Sequence, residues 1–175
     1  MSVDCFLDTN VFVYQLEGRD ARKAAIAQDL IRRGIESGNA CISFQVVQEC
    51  LNTALRKALV PLGGQDMRRY LESVLAPLFR VQPSLRLYRA SLDVQARYRF
   101  AYYDALIVAA ALDAGCATLY SEDLQDGQRI EGLTVVDPFS VASTTRTRPG
   151  ARAARGSSSA ARARASRTRW PRTTA

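Results

Sequence analysis

Residues 102–120 read YYDALIVAAALDAGCATLY, and this stretch decides the fold class. Tyr102 to Ala114 is too long for an ordinary strand and apolar nearly all round, which predicts a buried central helix closed by Gly115. Ala117 to Tyr120 then reads as a short strand. The same alternation extends outward on both sides. Upstream, Ser84 is placed to cap a helix running to about Arg97, and Leu78 to Gln82 is a weak strand between Pro77 and Pro83. Helices are predicted over Gln65 to Leu75 and Gln45 to Leu59, separated by Pro61 and Gly63-Gly64. Ala40 to Ser43 (ACIS) is a strand. Ala21 to Ser37 is an amphipathic helix, with Ile26, Leu30, Ile31 and Ile35 on one side and Asp29, Arg32 and Arg33 on the other; Gly38-Asn39 stops it. Val3 to Leu7 (VDCFL) is a buried strand with Asp8 at its end. Downstream, Ser121 to Gly127 is a polar turn and Leu133 to Val136 a last strand before Asp137-Pro138. Strands that alternate with helices predict an α/β domain, its mainly parallel central sheet of about four to five strands flanked by helices on both faces. Ligands bind such sheets beyond the carboxyl ends of the strands.

The chain has 175 residues, 47% of them hydrophobic, enough for one domain with a proper core. Its formal charge of +7 is unevenly spread. Residues 1–143 carry 15 Lys+Arg against all 17 Asp+Glu, whereas residues 144–175 carry nine arginines and no acid. A body of net −2 therefore precedes a tail of net +9. The longest apolar run, Ala105 to Leu112, falls far short of the roughly 18 residues of a membrane span. The N-terminus lacks the basic start of a secretory signal. These features predict a soluble, cytoplasmic protein with no membrane partner. Cys5, Cys41, Cys50 and Cys116 form no C-x-x-C pair and lie in apolar stretches, as buried free thiols do. The chain has no histidine, which excludes Ser-His-Asp and Cys-His nucleophiles and a histidine base. Hydrolytic chemistry would have to run through carboxylates, lysines or a metal held by oxygen.

Four acids fit that requirement, and each has a plain structural alternative. Asp8 ends the first strand and could simply cap the segment starting Thr9-Asn10. Phosphotransferases with a second aspartate two residues after the nucleophile are excluded, because that position is Asn10. Asp104 is the one charge inside the apolar helix; a buried carboxylate needs compensation, from the amide end of its helix or from a cation. Asp113, nine residues on, points elsewhere and reads as surface. Glu49 shares the polar side of its helix with Asn52, Thr53 and Arg56, and alone would be an ordinary solvated glutamate. Asp123 follows the fourth strand and could cap its turn, with Glu122 and Asp126 as rivals. Taken together, the four converge on the ligand-binding edge of the sheet, where they would repel one another without a cation. An all-oxygen set suits Mg²⁺ or Mn²⁺; ions about 4 Å apart can activate water and stabilise the leaving oxygen of a phosphodiester.

At these positions the sequence resembles the PIN-domain nucleases, most closely the ribonuclease toxins of the VapC type. The matching segments are LDTNV (7–11), VVQECLN (46–52), YYDALIVAAA (102–111), LYSEDLQDG (119–127) and the ending VVDPF (135–139). The resemblance implies a PIN-like nuclease domain over 1–140, with Asp8, Glu49, Asp104 and Asp123 as catalytic metal ligands and Asn10 and Ser121 as the polar residues that orient them. It implies Mg²⁺- or Mn²⁺-dependent hydrolysis of RNA, a cognate antitoxin protein that inserts a segment into the cleft, and a homodimer. Residues 141–175 depart from the pattern. They form an Arg/Ala/Ser-rich basic tail whose only large apolar side chain is Trp170, a composition that predicts disorder. Arginine runs attract RNA, although an altered reading frame at the gene end explains them equally well. Two other readings stand beside the toxin: a PIN-fold nuclease that processes RNA or cleaves DNA without a toxin role, and a non-catalytic nucleic-acid binder.

Overall fold

The computed structural model describes residues 3–56 and 63–140. The expectations for Leu59, Pro61 and the basic tail lie outside the described residues. Six strands form one sheet: β1 (Cys5–Leu7), β2 (Ala40–Ser43), β3 (Phe79–Val81), β4 (Thr118–Tyr120), β5 (Arg129–Ile130) and β6 (Leu133–Val136). Their order is β3-β2-β1-β4-β6-β5, and every pairing is parallel except β5 with β6. The expected four to five strands thus become six. The addition, β5, is a two-residue edge strand too short to carry any periodicity.

Between the strands run α1 (Thr9–Glu17), α2 (Ala21–Ser37), α3 (Phe44–Arg56), α4 (Gly64–Tyr70), α5 (Ala76–Leu78), α6 (Leu85–Tyr98) and α7 (Tyr102–Asp113). The sequence pattern leaves α1 unassigned because Val11, Phe12, Val13 and Tyr14 are β-branched or aromatic, poor helix formers by propensity. Tertiary burial of Val11 and Phe12 overrides that preference. A π-helical turn, Leu71–Leu75, joins α4 to α5, so the helical stretch passes Pro77 instead of stopping before it. In that turn the Ala76 amide reaches back five residues to the Leu71 carbonyl, and Pro77, which has no amide to offer, follows without a lost bond.

Local signals place the other helices as expected. Ser84 caps α6 through Leu87 N–H, and Gly38 closes α2 with a left-handed φ of 66°. Gly34 lets α2 lie directly on the sheet: a Cβ there would stand 2.6 Å from that of Ala40. The core is a single cluster in which Phe6, Leu7, Phe12, Ile42, Leu119 and the α7 run Ala105–Ala111 are buried. No helix among the described residues is long and apolar enough to cross a membrane.

This order of strands creates a switch point. From β1 the chain moves to β2 and β3 on one side, then crosses back to β4 on the other side of β1. The crevice between the carboxyl ends of β1 and β4 is where such sheets bind ligands, and Asp8 and Ser121 stand directly after those two strands.

Candidate active site

A cleft of about 660 Å³ opens at this edge, and Asp8, Glu49, Asp104 and Asp123 all line it. Each comes from a different element. Asp8 follows β1 and caps α1, Glu49 lies on α3, Asp104 is in the first turn of α7, and Asp123 is in the turn after β4. Glu17 and Glu122 complete a set of six lining carboxylates, and no lysine or arginine lines the cleft among the described residues.

Asp8 is the innermost acid, only 8% exposed. It accepts from Thr9 N–H at 2.6 Å and from the Ser121 hydroxyl at 2.7 Å, a bond that spans the β1–β4 crevice. Asp8 therefore caps α1 and at the same time lines the cleft. Burial pushes its carboxyl up to about 7, the bonds from Ser121 and Thr9 pull the other way, and the charges of Asp123 and Glu49 add to the rise. Asn10 donates to Asp8 at 3.4 Å, and its own amide oxygen is buried with no donor.

Glu49 is not the freely solvated glutamate its helix face suggested. Its carboxylate accepts from the Thr9 hydroxyl at 2.5 Å and from the Gln45 amide at 3.0 Å. Gln45 also donates toward the Tyr103 carbonyl at 3.4 Å, tying the acid-bearing helices α3 and α7 together. Two acceptors fix which way that amide points, leaving its oxygen buried without a donor.

Asp104 corrects an expectation. It sits half-buried on the cleft wall, not deep in the core, because the buried run of α7 begins only at Ala105. Burial, followed by the charges of Asp123 and Glu49, raises its pKa. Neither Asp104 nor Asp123 carboxylate oxygens accept a hydrogen bond or pair with a cation among the described residues. Asp113, read as surface, is exposed, and it pairs with Arg86 at 2.6 Å.

The turn after β4 separates Asp123 from its rivals. Glu122 turns to Lys23, 2.5 Å away, which also bonds the Tyr14 hydroxyl. Burial alone would raise Glu122, but the bonds from Lys23 and Tyr14 outweigh it and hold the carboxyl low. Asp126 accepts from the Asp137 amide and braces the turn against the end of β6. Asp123 gives its amide to Ser121 Oγ, leaving its carboxylate for the cleft. Thr9, Gln45 and Lys23 were not singled out from sequence. The i,i+4 spacing of Gln45 and Glu49 was the one signal available for Gln45.

The sequence matches the PIN domain family over residues 5–129. The chain belongs to the PIN-domain family. The resemblance carried by its motifs therefore holds over most of the chain, and the six-stranded PIN domain is the observed architecture. No curated protein matches it by sequence. Among solved structures, this PIN domain is similar to a toxin–antitoxin complex from Klebsiella pneumoniae, at 18% identity and a TM-score of 0.56, covering 79% of this chain and 100% of that one. It is also similar to a DNA-bound VapBC from Salmonella typhimurium, at 17% identity and a TM-score of 0.54, covering 76% and 96%. At these identities the likeness is one of fold.

As a donor set the PIN-domain cleft is uniform: six carboxylates and two orphaned amide oxygens, with no nitrogen or sulfur ligand. Hard oxygen donors of this kind fit Mg²⁺ or Mn²⁺ rather than zinc. The acids approach from different walls, and among the described residues no three His, Cys, Asp or Glu side chains form a ready metal cage. The fit lies in donor chemistry and charge.

Proposed function

We propose that this PIN-domain protein is a Mg²⁺- or Mn²⁺-dependent endoribonuclease, the toxin of a toxin–antitoxin pair, acting in the cytoplasm as a homodimer. One observation carries the catalytic reading: four acids from four separate elements line one cleft whose described lining contains no cation. Mutual repulsion makes such a set costly unless something positive binds there. Asp104 and Asp123, whose oxygens are free, and Asp8, which has one oxygen less engaged, would hold the ion. A bound Mg²⁺ or Mn²⁺ would supply Lewis acidity for ionising water and for neutralising charge on the phosphate.

The protein's own residues do the rest. Ser121 and Thr9 fix the Asp8 carboxylate, and Gln45 and Thr9 fix Glu49. So oriented, Glu49 would take a proton from an attacking water. With no histidine in the chain, a carboxylate is the base the cleft offers. The family resemblance supports RNA as substrate, and the fold shared with toxin–antitoxin complexes supports an antitoxin partner.

The experiment is direct. Purified protein with Mn²⁺ is expected to cleave single-stranded RNA, to stop in excess EDTA and to resume when Mn²⁺ is restored. Cleavage undiminished by chelator would overturn the metal mechanism. Cleavage of DNA alone would select the DNA-nuclease alternative. Co-purification with the product of an adjacent small gene tests the toxin assignment.

A further inference from the structure

Resting on the nuclease reading above, we infer that Tyr103 is a stacking platform for a nucleobase beside the scissile phosphate, and so a substrate-binding residue that favours single-stranded RNA in this cleft. The cleft is poor in groups that bind a phosphate backbone. Its described lining contains no lysine or arginine to grip a phosphate backbone. Six carboxylates repel that backbone, so a bound cation can offset repulsion only where it sits. Within this described lining, contact with the flanking nucleotides falls to the neutral surface.

The neutral surface is small: Val13, Tyr14, Tyr103 and Ile107 supply its apolar part. Tyr14 is already engaged. Its hydroxyl accepts from Lys23, whose ammonium lies 4.3 Å from the ring centroid, and Phe139 packs edge-on at 4.7 Å. Val13 and Ile107 are aliphatic and offer no π face. Tyr103 differs on each count. The residue is 60% exposed, unusual for a large aromatic, and the other ring near it is Tyr102, at 5.7 Å and 69°. Its backbone, by contrast, is fixed. Tyr103 stands in the first turn of α7 next to Asp104, and its carbonyl receives the Gln45 amide. An exposed ring on a fixed backbone, one residue from a proposed ligand, suits stacking. Base–aromatic stacking tolerates any base and needs a single-stranded substrate, because a paired base hides its face in the helix.

The test uses the full chain with Mn²⁺ and a single-stranded RNA carrying 2-aminopurine at successive positions. Tyr103→Ala is expected to raise KM about 5- to 160-fold, the range set by stacking energies, with kcat within about twofold. Tyr103→Trp should keep KM near the wild-type value. An abasic nucleotide at the stacked position should raise the wild-type KM equally and add nothing to Tyr103→Ala, because both changes remove one contact. Binding is read separately by 2-aminopurine quenching on the slow variant Asp8→Asn, at one position and only with an aromatic ring at 103. An unchanged KM in Tyr103→Ala, a fall confined to kcat, or an abasic effect that adds to the variant's would overturn the inference. If the wild-type protein cleaves no RNA, the nuclease reading fails by itself. The quenching arm still decides: Tyr103-dependent quenching upholds the platform, and its absence rejects it.

Discussion

The outer face of α2 and the wall of the cleft use the same residue types to opposite ends. On α2, Asp29 meets Arg32 at 2.7 Å and Arg33 at 2.8 Å, and Arg32 also meets Glu36 at 2.7 Å. Every acid there has a cation within a helical turn, and the bond from Arg32 draws the Asp29 carboxyl below its usual range. In the cleft, one acid of six, Glu122, has a lysine partner. Asp8 and Asp104 are instead pushed upward, first by burial and then by one another's neighbours. Exposed pairs such as those on α2 contribute little stability. The unbalanced cleft costs stability, and a cost of that kind persists where it serves a site.

The largest effect that would sharpen this contrast is on catalysis. Losing a group that merely orients a metal ligand costs 10- to 100-fold, so Asp104→Asn, which removes a proposed ligand, should lower RNA cleavage by more than about 100-fold. Asp113→Asn, on the same helix but paired with Arg86, should leave the rate near wild type. Equal rates for both variants would erase the distinction between balanced and unbalanced acids.

Next in size comes the one cleft acid that has a partner. Lys23→Met leaves the Glu122 carboxylate, whose side chain is 30% exposed, with the Tyr14 hydroxyl alone, and should destabilise the protein by about 1–2 kcal/mol, the lower part of the cost of an orphaned buried partner. Adding Glu122→Gln should recover part of that loss in denaturant melts. A double variant no more stable than the single would show that Lys23 acts through its packing on Tyr14 and Phe139.

The cost of burying Asp8 gives a pH dependence with a definite sign. Its folded pKa of about 7 lies above the ordinary value of 3.8, so over that window the folded protein holds a proton that the unfolded chain has released. Metal-free protein should therefore lose stability as pH rises from about 4 to about 7. Asparagine caps a helix as well as aspartate but has no charge to desolvate. Asp8→Asn should thus flatten the slope and gain on the order of 1 kcal/mol at pH 8. A loss of stability there would mean that the bonds from Ser121 and from Thr9 N–H need the ionised form. Smallest of all, Asp29→Asn should move stability by less than about 0.5 kcal/mol and leave cleavage unchanged.

Most of this architecture is legible in the sequence wherever local chemistry and tertiary packing agree. Ser84, Gly38 and the apolar run of α7 each say the same thing at both levels. Legibility fails where packing overrules propensity, as in α1, or where an element is too short to have a period, as in β5. The four acids could be gathered from their places after strands and at helix starts. Their environments could not. Glu49 looks solvated on a helical wheel because its partners, Thr9 and Gln45, arrive through the fold. Glu122 and Asp123 are adjacent and alike in sequence, and only the position of Lys23, 99 residues away from Glu122, separates their roles.

Calorimetric titration of metal-free protein with Mn²⁺ tests the central claim, that the unbalanced acids of the cleft form a cation site. Wild-type protein and Asp29→Asn should bind Mn²⁺ alike, while Asp8→Asn and Asp104→Asn should each bind it at least about tenfold more weakly, since even the loss of a residue that orients a ligand has that effect. Failure of the wild-type protein to bind Mn²⁺, or equal affinity in all four proteins, would contradict the account.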